Sequence, residues 1–281
     1  MPSKSKAVAT RPKGGAVATR QTAELPDFMK GYAGGAGTEL MRQEDVEIPR
    51  LALLQALSDP VAEGDEKPGN FWHTVAEVNL GSELQIVPVF TSHSYILWKP
   101  RDQGGGILAR ADDGVHWNPP KGEFEIALPG KRKTTWKLAK TVAESRLDQW
   151  GSFDPDDSNS PPAATKCYNV AAYLLDFPEY SPAVICLQRS AVKVAKKFVG
   201  KLMLTQAPSF GLVYTMSSIK DMNTAGQEFY NFKFTASGLL TDESVFKQTE
   251  AMYKHFKDMG LRVRDMEGAA EEHAGAEPKE Y

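Results

Sequence analysis

The chain has 281 residues, of which 41% are hydrophobic and 25% are charged, so it can bury a core of ordinary globular size. Its net charge is -3, so its overall charge alone would not attract it to nucleic acid. No apolar run approaches the roughly 20 residues that a membrane-spanning helix needs, and no apolar signal-peptide stretch follows the basic N-terminus. We therefore expect a soluble, cytoplasmic protein that does not contact a membrane.

The two ends of the chain differ from its middle in charge and in apolar content. Residues 1–20 carry five basic residues, no acidic residue and a repeated Ala-Val-Ala-Thr-Arg pentapeptide, and glycines are dense at 31–37. Such segments do not form a core, so we predict that 1–45 is a flexible basic and Gly-rich N-terminal segment. Residues 265–281 read as an acidic flexible tail. A single β-rich domain is predicted between them, over 46–264.

The middle of the chain begins with strand signals. Residues 84–98 are rich in β-branched and aromatic side chains, and Pro88 within them favours a strand that lies at a sheet edge or is bulged. Further apolar runs predict strands at 168–177 and 183–187. A turn at 223–226 predicts that the runs 210–216 and 228–235 form a hairpin.

Two helices complete the prediction. Ser190 is a suitable N-cap for a helix of about ten residues ending near Gly200, and 241–259 has acidic residues in its first turn and glycine after it. The Asp-, Ser- and Pro-rich segment 152–164 is predicted to be a surface loop with no means of packing. The expected class is mainly β (α+β): an antiparallel barrel of the oligonucleotide-binding type with an internal helix, a C-terminal helix and flexible termini.

The sequence contains no motif of a known enzyme class. It has no zinc-protease, nucleophile-elbow, phosphate-loop or dinucleotide signature, and no two of its five histidines lie four residues apart. Its two cysteines, Cys167 and Cys186, are predicted to be buried thiols. We expect no enzyme, no catalytic residue, no metal site and no cofactor. A metal-dependent nuclease, whose acidic residues converge only in the fold, stays open as an alternative.

Basic residues are concentrated in two segments. Residues 181–240 hold seven basic residues against two acidic ones, and 131–140 hold five basic residues and no acidic one around Trp136. A protein that binds single-stranded nucleic acid needs a basic surface for the phosphates and aromatic faces on which bases stack. The alternative for each position is that the aromatic ring is core and the lysine belongs to a solvated face.

On this pattern we predict a nucleic-acid-binding surface on one face of the protein. Trp117 beside Lys121 shows the same pairing of aromatic and basic residues. The residues predicted to form the surface are Trp98, Lys99, Arg101, Lys131, Arg132, Lys133, Trp136, Lys137, Lys193, Lys196, Lys197, Tyr230 and Lys233.

The layout of the chain resembles bacteriophage single-stranded DNA-binding proteins. The features that carry the resemblance are the acidic tail residues and the aromatic C-terminus, namely Glu271, Glu272, Glu277, Glu280 and Tyr281. The segments 48–58 and 98–106 also resemble uncharacterised phage proteins of similar length. This tail is less acidic than is typical of the DNA-binding group.

The resemblance implies an oligonucleotide-binding barrel and a tail that docks replication or recombination proteins. It also implies a role without catalysis, in the cytoplasm of the host cell. The leading hypothesis is thus non-sequence-specific binding of single-stranded DNA in phage DNA replication and recombination. A phage structural or assembly protein without DNA-binding activity is the alternative from a different class.

Overall fold

A computed structural model describes residues 37, 40, 49–128, 130, 132–223 and 226–261. In chain order its strands are β1 (Leu51–Leu53), β2 (Phe71–His73), β3 (Val78–Asn79), β4 (Glu83–Trp98), β5 (Ile107–Ala111), β6 (Gly122–Ala127), β7 (Lys133–Leu138), β8 (Ala164–Leu174), β9 (Ala183–Gln188), β10 (Leu212–Met222) and β11 (Glu228–Leu239). Its helices are α1 (Asp59–Ala62), α2 (Val142–Ser145), α3 (Val192–Leu204) and α4 (Glu243–Met259).

A six-stranded antiparallel sheet organises the fold. Its order is β11-β10-β4-β8-β9, and β5 pairs with the C-terminal end of β4. The first three strands form a separate three-stranded sheet, and β6 and β7 form a two-stranded hairpin. The class is therefore α+β with mostly antiparallel sheets, as predicted. The described strands do not close into a barrel.

The strand β4 is bulged near its middle. Its register with β8 shifts between Pro88 and Phe90, so Val89 is an extra residue without a partner on β8. Of the two alternatives predicted from Pro88, the bulge is the one observed. The strand is not at an edge, because β4 is flanked by β8 on one side and by β10 and β5 on the other. The bulge exchanges the two faces of the strand, since one extra residue inverts the alternation of side chains.

One face of the six-stranded sheet, which we call the α3 face, is covered by α3 and by the small three-stranded sheet. Phe198 of α3 stacks on Phe234 at 4.2 Å between ring centroids and meets Tyr214 edge-on at 5.0 Å. The side chains buried there from the sheet and its cover are Leu51, Leu53, Phe71, Ile86, Val170, Ile185, Tyr214, Phe198, Leu202 and Phe234.

The opposite face, the α4 face, is covered by α4. Phe256 packs on Val87, Tyr173 and Val184, and Thr249 donates its hydroxyl to the carbonyl of Phe210 at 2.8 Å. The hairpin of β6 and β7 packs at the far end of β4 and β5 around a third core, formed by Leu97, Ala109, Trp117, Ile126, Trp136, Leu138, Val142 and Leu147.

Both predicted helices are present, with different boundaries for the first. Ser190 lies in a 3-10 turn before α3 and does not cap it, and the helix continues through Gly200 to Leu204. Nothing lies within 4 Å of a Cβ at Gly200, so no close contact requires glycine at this helical position. Helix α4 begins two residues after the predicted start at Thr241, because Asp242 is its N-cap and accepts hydrogen bonds from the backbone N–H groups of Ser244 and Val245.

The loop 152–164 is packed, contrary to the sequence prediction. Asp154 and Ser160 are 8% and 6% exposed, and the Ser160 hydroxyl bonds to both the N–H and the carbonyl of Asp154 at 3.0 Å. Local hydrogen bonds of Asp and Ser therefore supply the packing that apolar side chains do not provide here. Among the described residues, no helix is long and apolar enough to cross a membrane.

Candidate nucleic-acid interface

The predicted basic residues fall into two groups that have different neighbours. The first, the hairpin cluster, consists of Arg132, Lys133 and Lys137 on and beside β7. Arg132 contacts Asp154 at 2.5 Å and Asp156 at 3.1 Å. These carboxylates raise the pKa of the Arg132 guanidinium, with the Asp154 hydrogen bond as the largest cause. The positive charge of Arg132 is thereby matched within the protein.

The two lysines of the hairpin cluster are paired across the hairpin. Lys133 lies 2.5 Å from Glu125, and Lys137 lies 3.1 Å from Glu123. The register places Glu123 directly opposite Lys137, so the acids of β6 and the lysines of β7 share one face. Exposed ion pairs of this kind contribute only about 0–1 kcal/mol to stability, but they cancel the charge that a phosphate would meet.

The two tryptophans near basic residues in this part of the chain, Trp136 and Trp117, belong to the core. Trp136 is 2% exposed and donates its indole N–H to the carbonyl of Phe153 at 3.3 Å. Trp117 is also 2% exposed and donates to the Ser145 hydroxyl at 3.0 Å. The core interpretation therefore holds for both rings, and neither presents a face on which a base can stack.

The loop after β4 docks onto the hairpin. Gln103 forms two hydrogen bonds of 2.9 Å with the backbone of Ala127. The half-buried Trp98 packs against the core of the α4 face, and the half-buried Lys99 starts the loop. The side chain of Arg101 and all of Lys131 lie outside the described part of the chain.

The second group is the set of α3 lysines, Lys193, Lys196 and Lys197. All three are exposed, because α3 buries the opposite stripe of Ala195, Phe198 and Leu202. Within 49–128, 130, 132–223 and 226–261, no carboxylate lies within ion-pair distance of these lysines. The sequence contains no acidic residue between Glu179 and Asp221, so local compensation is excluded as well.

A cation held between aromatic rings lies on the α3 face of the sheet. Lys166 Nζ is 5.4 Å from the ring centroid of Tyr95 and 5.2 Å from that of Tyr168, within the range of a cation–π contact. His93 meets Tyr95 edge-on at 5.8 Å. We call these four residues the Lys166 platform. Tyr168 also packs against the core of the α3 face.

Burial lowers the pKa of His93, and the positive charge of Lys166 lowers it further, against an opposing effect of Asp113. The platform exposes the His93 imidazole and parts of Lys166 and Tyr168, whereas the Tyr95 ring is buried beneath them. Sequence reasoning did not identify it, because its residues come from different strands. Its signal was the period-two spacing of His93 and Tyr95 along β4 and of Lys166 and Tyr168 along β8.

The remaining predicted residues divide between the two faces of the sheet. Tyr230 lies on the α3 face, where it covers Gly69 and donates its backbone N–H to Gln55 at 2.8 Å. Lys233 is exposed on the opposite face of β11, because its neighbours Phe232 and Phe234 point toward α3. The structure thus brings Lys193, Lys196 and Lys197 together on one helix, with Tyr230 on the sheet face that α3 covers. It separates them from Lys233.

The two cysteines differ in burial. Cys167 is buried, Cys186 is half-buried, and both are free. The hydrogen bond to Cys186 is the largest cause that raises the pKa of the Cys167 thiol, and desolvation by burial raises it further.

In the described residues, no group of three His, Cys, Asp or Glu side chains is placed to hold a metal ion. The tail residues Glu271, Glu272, Glu277, Glu280 and Tyr281 lie outside the described residues.

The sequence was also compared with known proteins. No curated protein and no solved structure matches it. The sequence model of one family, the Pam3 phage gp34-like proteins, matches residues 18–261, which include every described strand and helix. The chain therefore belongs to the Pam3 phage gp34-like protein family.

Proposed function

We propose that this protein binds single-stranded DNA without sequence specificity, in phage DNA replication or recombination and without catalysis. The observation that supports the proposal most is the charge of α3. Lys193, Lys196 and Lys197 are exposed on one helix without a carboxylate partner in the described chain. Phosphate neutralisation by such lysines releases counterions and supplies most of the affinity of non-specific binding.

The Lys166 platform favours the binding of single-stranded DNA over the binding of a duplex. Tyr168 is partly exposed and packs against the core of the α3 face, and His93 is exposed, so bases that leave the phosphate track would meet aromatic rings on that face. Stacking on aromatic rings tolerates every base, because each base has a π face. A closed oligonucleotide-binding barrel is not needed for this surface, since a helix on an open sheet supplies both parts.

The acidic tail, residues 265–281, is the proposed docking segment for basic replication or recombination proteins. The same tail can also compete with DNA for the α3 lysines, because both contacts are electrostatic. Deleting the tail should therefore tighten DNA binding at low salt.

Fluorescence anisotropy with a labelled oligo-dT of about 30 nucleotides tests the proposal, because such a strand exceeds a single binding site. We expect affinity that falls steeply as salt rises, and weaker binding to a duplex of equal length. Replacing Lys193, Lys196 and Lys197 by glutamine should weaken binding about tenfold or more at low salt. No binding of the intact protein at low salt would refute the proposal.

Helix α4 offers a matched control for charge and helix content. Lys247 and Lys254 pair with Glu243 and Glu250 at 2.6 and 2.8 Å, and Lys257 lies over Tyr253 at 5.9 Å. Replacing these three lysines by glutamine removes the same charge as the α3 variant. If it weakens binding as much as the α3 variant does, bulk charge and not the α3 surface causes the affinity.

A structural or assembly role is the second candidate, and one observation favours it. Met203 and Leu204 at the C-terminal end of α3 are 83% and 87% exposed. Adjacent exposed apolar side chains are typical of a surface that a protein partner covers. That role predicts self-association or co-assembly that Met203→Ser with Leu204→Ser abolishes, measured by sedimentation velocity, and no affinity for oligo-dT.

A further inference from the structure

A cavity between α4 and the small three-stranded sheet has no role in the proposed function. It has a volume of about 720 Å³ and lies between the C-terminal half of α4, the turn 178–182 and the turn that follows β2. Sites for small molecules span about 300–1,000 Å³, so this cavity has room for one small molecule. None of the residues predicted to bind DNA is among the described residues that line it.

The walls of the cavity are mainly apolar. The side chains that supply most of this surface are Pro49, Val75, Pro182, Met252 and Phe256. Among the described residues of the lining there is no lysine or arginine, and both Glu179 and His255 are exposed. A charged ligand would therefore lose its hydration here without gaining a buried ionic partner. The lining favours a neutral ligand and disfavours a nucleotide with its phosphate.

His73 places one buried polar group at the cavity wall. This residue lines the cavity and is 3% exposed. Its Nδ1 accepts the backbone N–H of Ala76 at 2.9 Å, so the proton of the neutral imidazole lies on Nε2. The Nε2–H is buried and has no hydrogen-bond partner in the described part of the chain. Since the great majority of buried donors in native proteins are hydrogen-bonded, this donor indicates an acceptor that a ligand supplies.

The imidazole of His73 is held in its neutral form. Burial is the largest influence on this group and lowers its pKa. The backbone carbonyl of Tyr180 opposes this decrease of the pKa in part, but it does not accept a hydrogen bond of normal geometry from Nε2. The centroid of the Tyr180 ring lies 5.3 Å from that of the His73 ring. At neutral pH His73 therefore offers a donor without a positive charge, in keeping with the uncharged walls.

Hydrogen bonds hold the walls of the cavity in place. The Ser181 hydroxyl accepts the N–H of Leu174 at 2.8 Å and fixes the turn 178–182 against β8. Val184 donates its N–H to the carbonyl of Pro49 at 2.8 Å, which fixes the opposite wall against β9. Because these contacts position the walls before a ligand binds, little ordering entropy is lost on binding.

We propose that this cavity binds a neutral, mainly apolar small molecule whose carbonyl or other acceptor receives the Nε2–H of His73. The site goes beyond the proposed DNA binding, because neither the α3 lysines nor the Lys166 platform belong to its described lining. The apolar walls supply most of the binding free energy, and the single donor fixes the orientation of the ligand.

Fluorescence titration with prodan, a neutral naphthalene that carries one ketone and one dimethylamino group, tests the site. Its emission shifts to the blue when it leaves water for apolar surroundings. We expect a saturable blue shift with one molecule bound per chain. The analogue without the ketone should bind about 2-fold to 10-fold more weakly, the range for loss of one hydrogen bond.

Ala251→Trp tests the location of the site, because Ala251 is an exposed residue of α4 that also lines the cavity. The indole should fill the space and weaken prodan binding about tenfold or more. Ala143→Trp, at an exposed position of α2, is the matched control and should leave the affinity within about 2-fold. Circular dichroism would verify the fold of both variants.

The absence of saturable prodan binding to the intact protein would overturn the proposal, and so would equal affinity in Ala251→Trp and the parent. Equal affinity for prodan and its ketone-free analogue would overturn the hydrogen bond to His73. Self-association that Ala251→Trp abolishes, in a protein that does not bind prodan, would assign the cavity to a second copy of the chain instead. Oligo-dT affinity is measured separately, so none of these outcomes refutes the proposed function.

Discussion

Helix α3 and the β6–β7 hairpin are both strongly basic in sequence, yet they differ in what surrounds their charges. On the hairpin, Arg132 meets Asp154 and Asp156, and Lys133 and Lys137 meet glutamates of the facing strand. On α3, the three lysines have no such partner among the described residues. A run of basic residues thus predicts a binding surface only where the fold leaves its charge uncompensated.

The difference follows from secondary structure. In a two-stranded antiparallel hairpin, alternate residues of both strands share one face, so Glu123 and Glu125 on β6 meet lysines on β7. An isolated amphipathic helix can compensate its own charges only from positions three or four residues away, and α3 has no acidic residue in its length. The same composition therefore gives a neutralised surface in one region and a positive surface in the other.

The largest expected effects are losses of stability caused by core substitutions under α3 and under the hairpin. Phe198 anchors α3 in the core and is 1% exposed, so Phe198→Ala should lower the free energy of unfolding by about 3–5 kcal/mol. DNA binding should be lost with it at temperatures where the variant unfolds. Thermal and urea unfolding, followed by circular dichroism, measure the change.

Trp136→Ala is the matched change under the hairpin, where Trp136 is equally buried at 2% exposure. It should destabilise the protein by a comparable amount, about 3–5 kcal/mol. At a temperature where this variant stays folded, it should still bind oligo-dT through α3. Loss of binding in the folded Trp136 variant would contradict the separation of the two regions.

A smaller effect comes from exposing the charge of the hairpin. Glu123→Gln with Glu125→Gln leaves Lys137 and Lys133 without their partners, and we expect affinity for oligo-dT at low salt to rise by about 2-fold to 5-fold. Glu243→Gln with Glu250→Gln on α4 is the control, since it frees Lys247 and Lys254 instead. An equal rise in both variants would show that only net charge matters.

The smallest effect is a pH dependence at the Lys166 platform. Burial lowers the pKa of His93 below its ordinary value of 6.5, so the unfolded chain takes up the proton more readily than the folded protein. Stability is therefore fully present above pH 6.5 and decreases as the pH falls below it.

His93→Gln should make this decrease shallower, as measured by urea unfolding at a series of pH values. His255, an exposed residue of α4, supplies the control substitution His255→Gln. Identical pH profiles for the parent protein and His93→Gln would contradict the assignment of the shift to burial of His93.

The sequence predicted those parts of the fold that depend on local patterns. The strand at 84–98, the hairpin of β10 and β11 and the existence of α4 within 241–259 follow from β-rich composition, turn residues and the acidic first turn. The pairing of Arg132 with Asp154 was not predictable, because 22 residues separate them and Asp154 is buried by local hydrogen bonds. The 59% exposure of Trp150 was not predictable either, since it depends on how its loop packs.

The end of α3 gives the same lesson for helices. Glycine often terminates helices, but α3 continues past Gly200 because Leu202 belongs to the buried stripe that includes Phe198. Tertiary packing therefore overrides a local stop signal, and it sets which lysines of α3 face outward.

We propose that uncompensated charge on α3, and not basic composition, causes DNA binding. The most direct test of this claim compares how oligo-dT affinity depends on salt in two triple glutamine variants, one of Lys193, Lys196 and Lys197 and one of Arg132, Lys133 and Lys137. We predict that the slope of log affinity against log salt falls by about 2 in the α3 variant, near 0.7 for each phosphate that is no longer neutralised, and by less than about 0.5 in the hairpin variant. Equal slopes in the two variants, or a larger decrease in the hairpin variant, would contradict the claim.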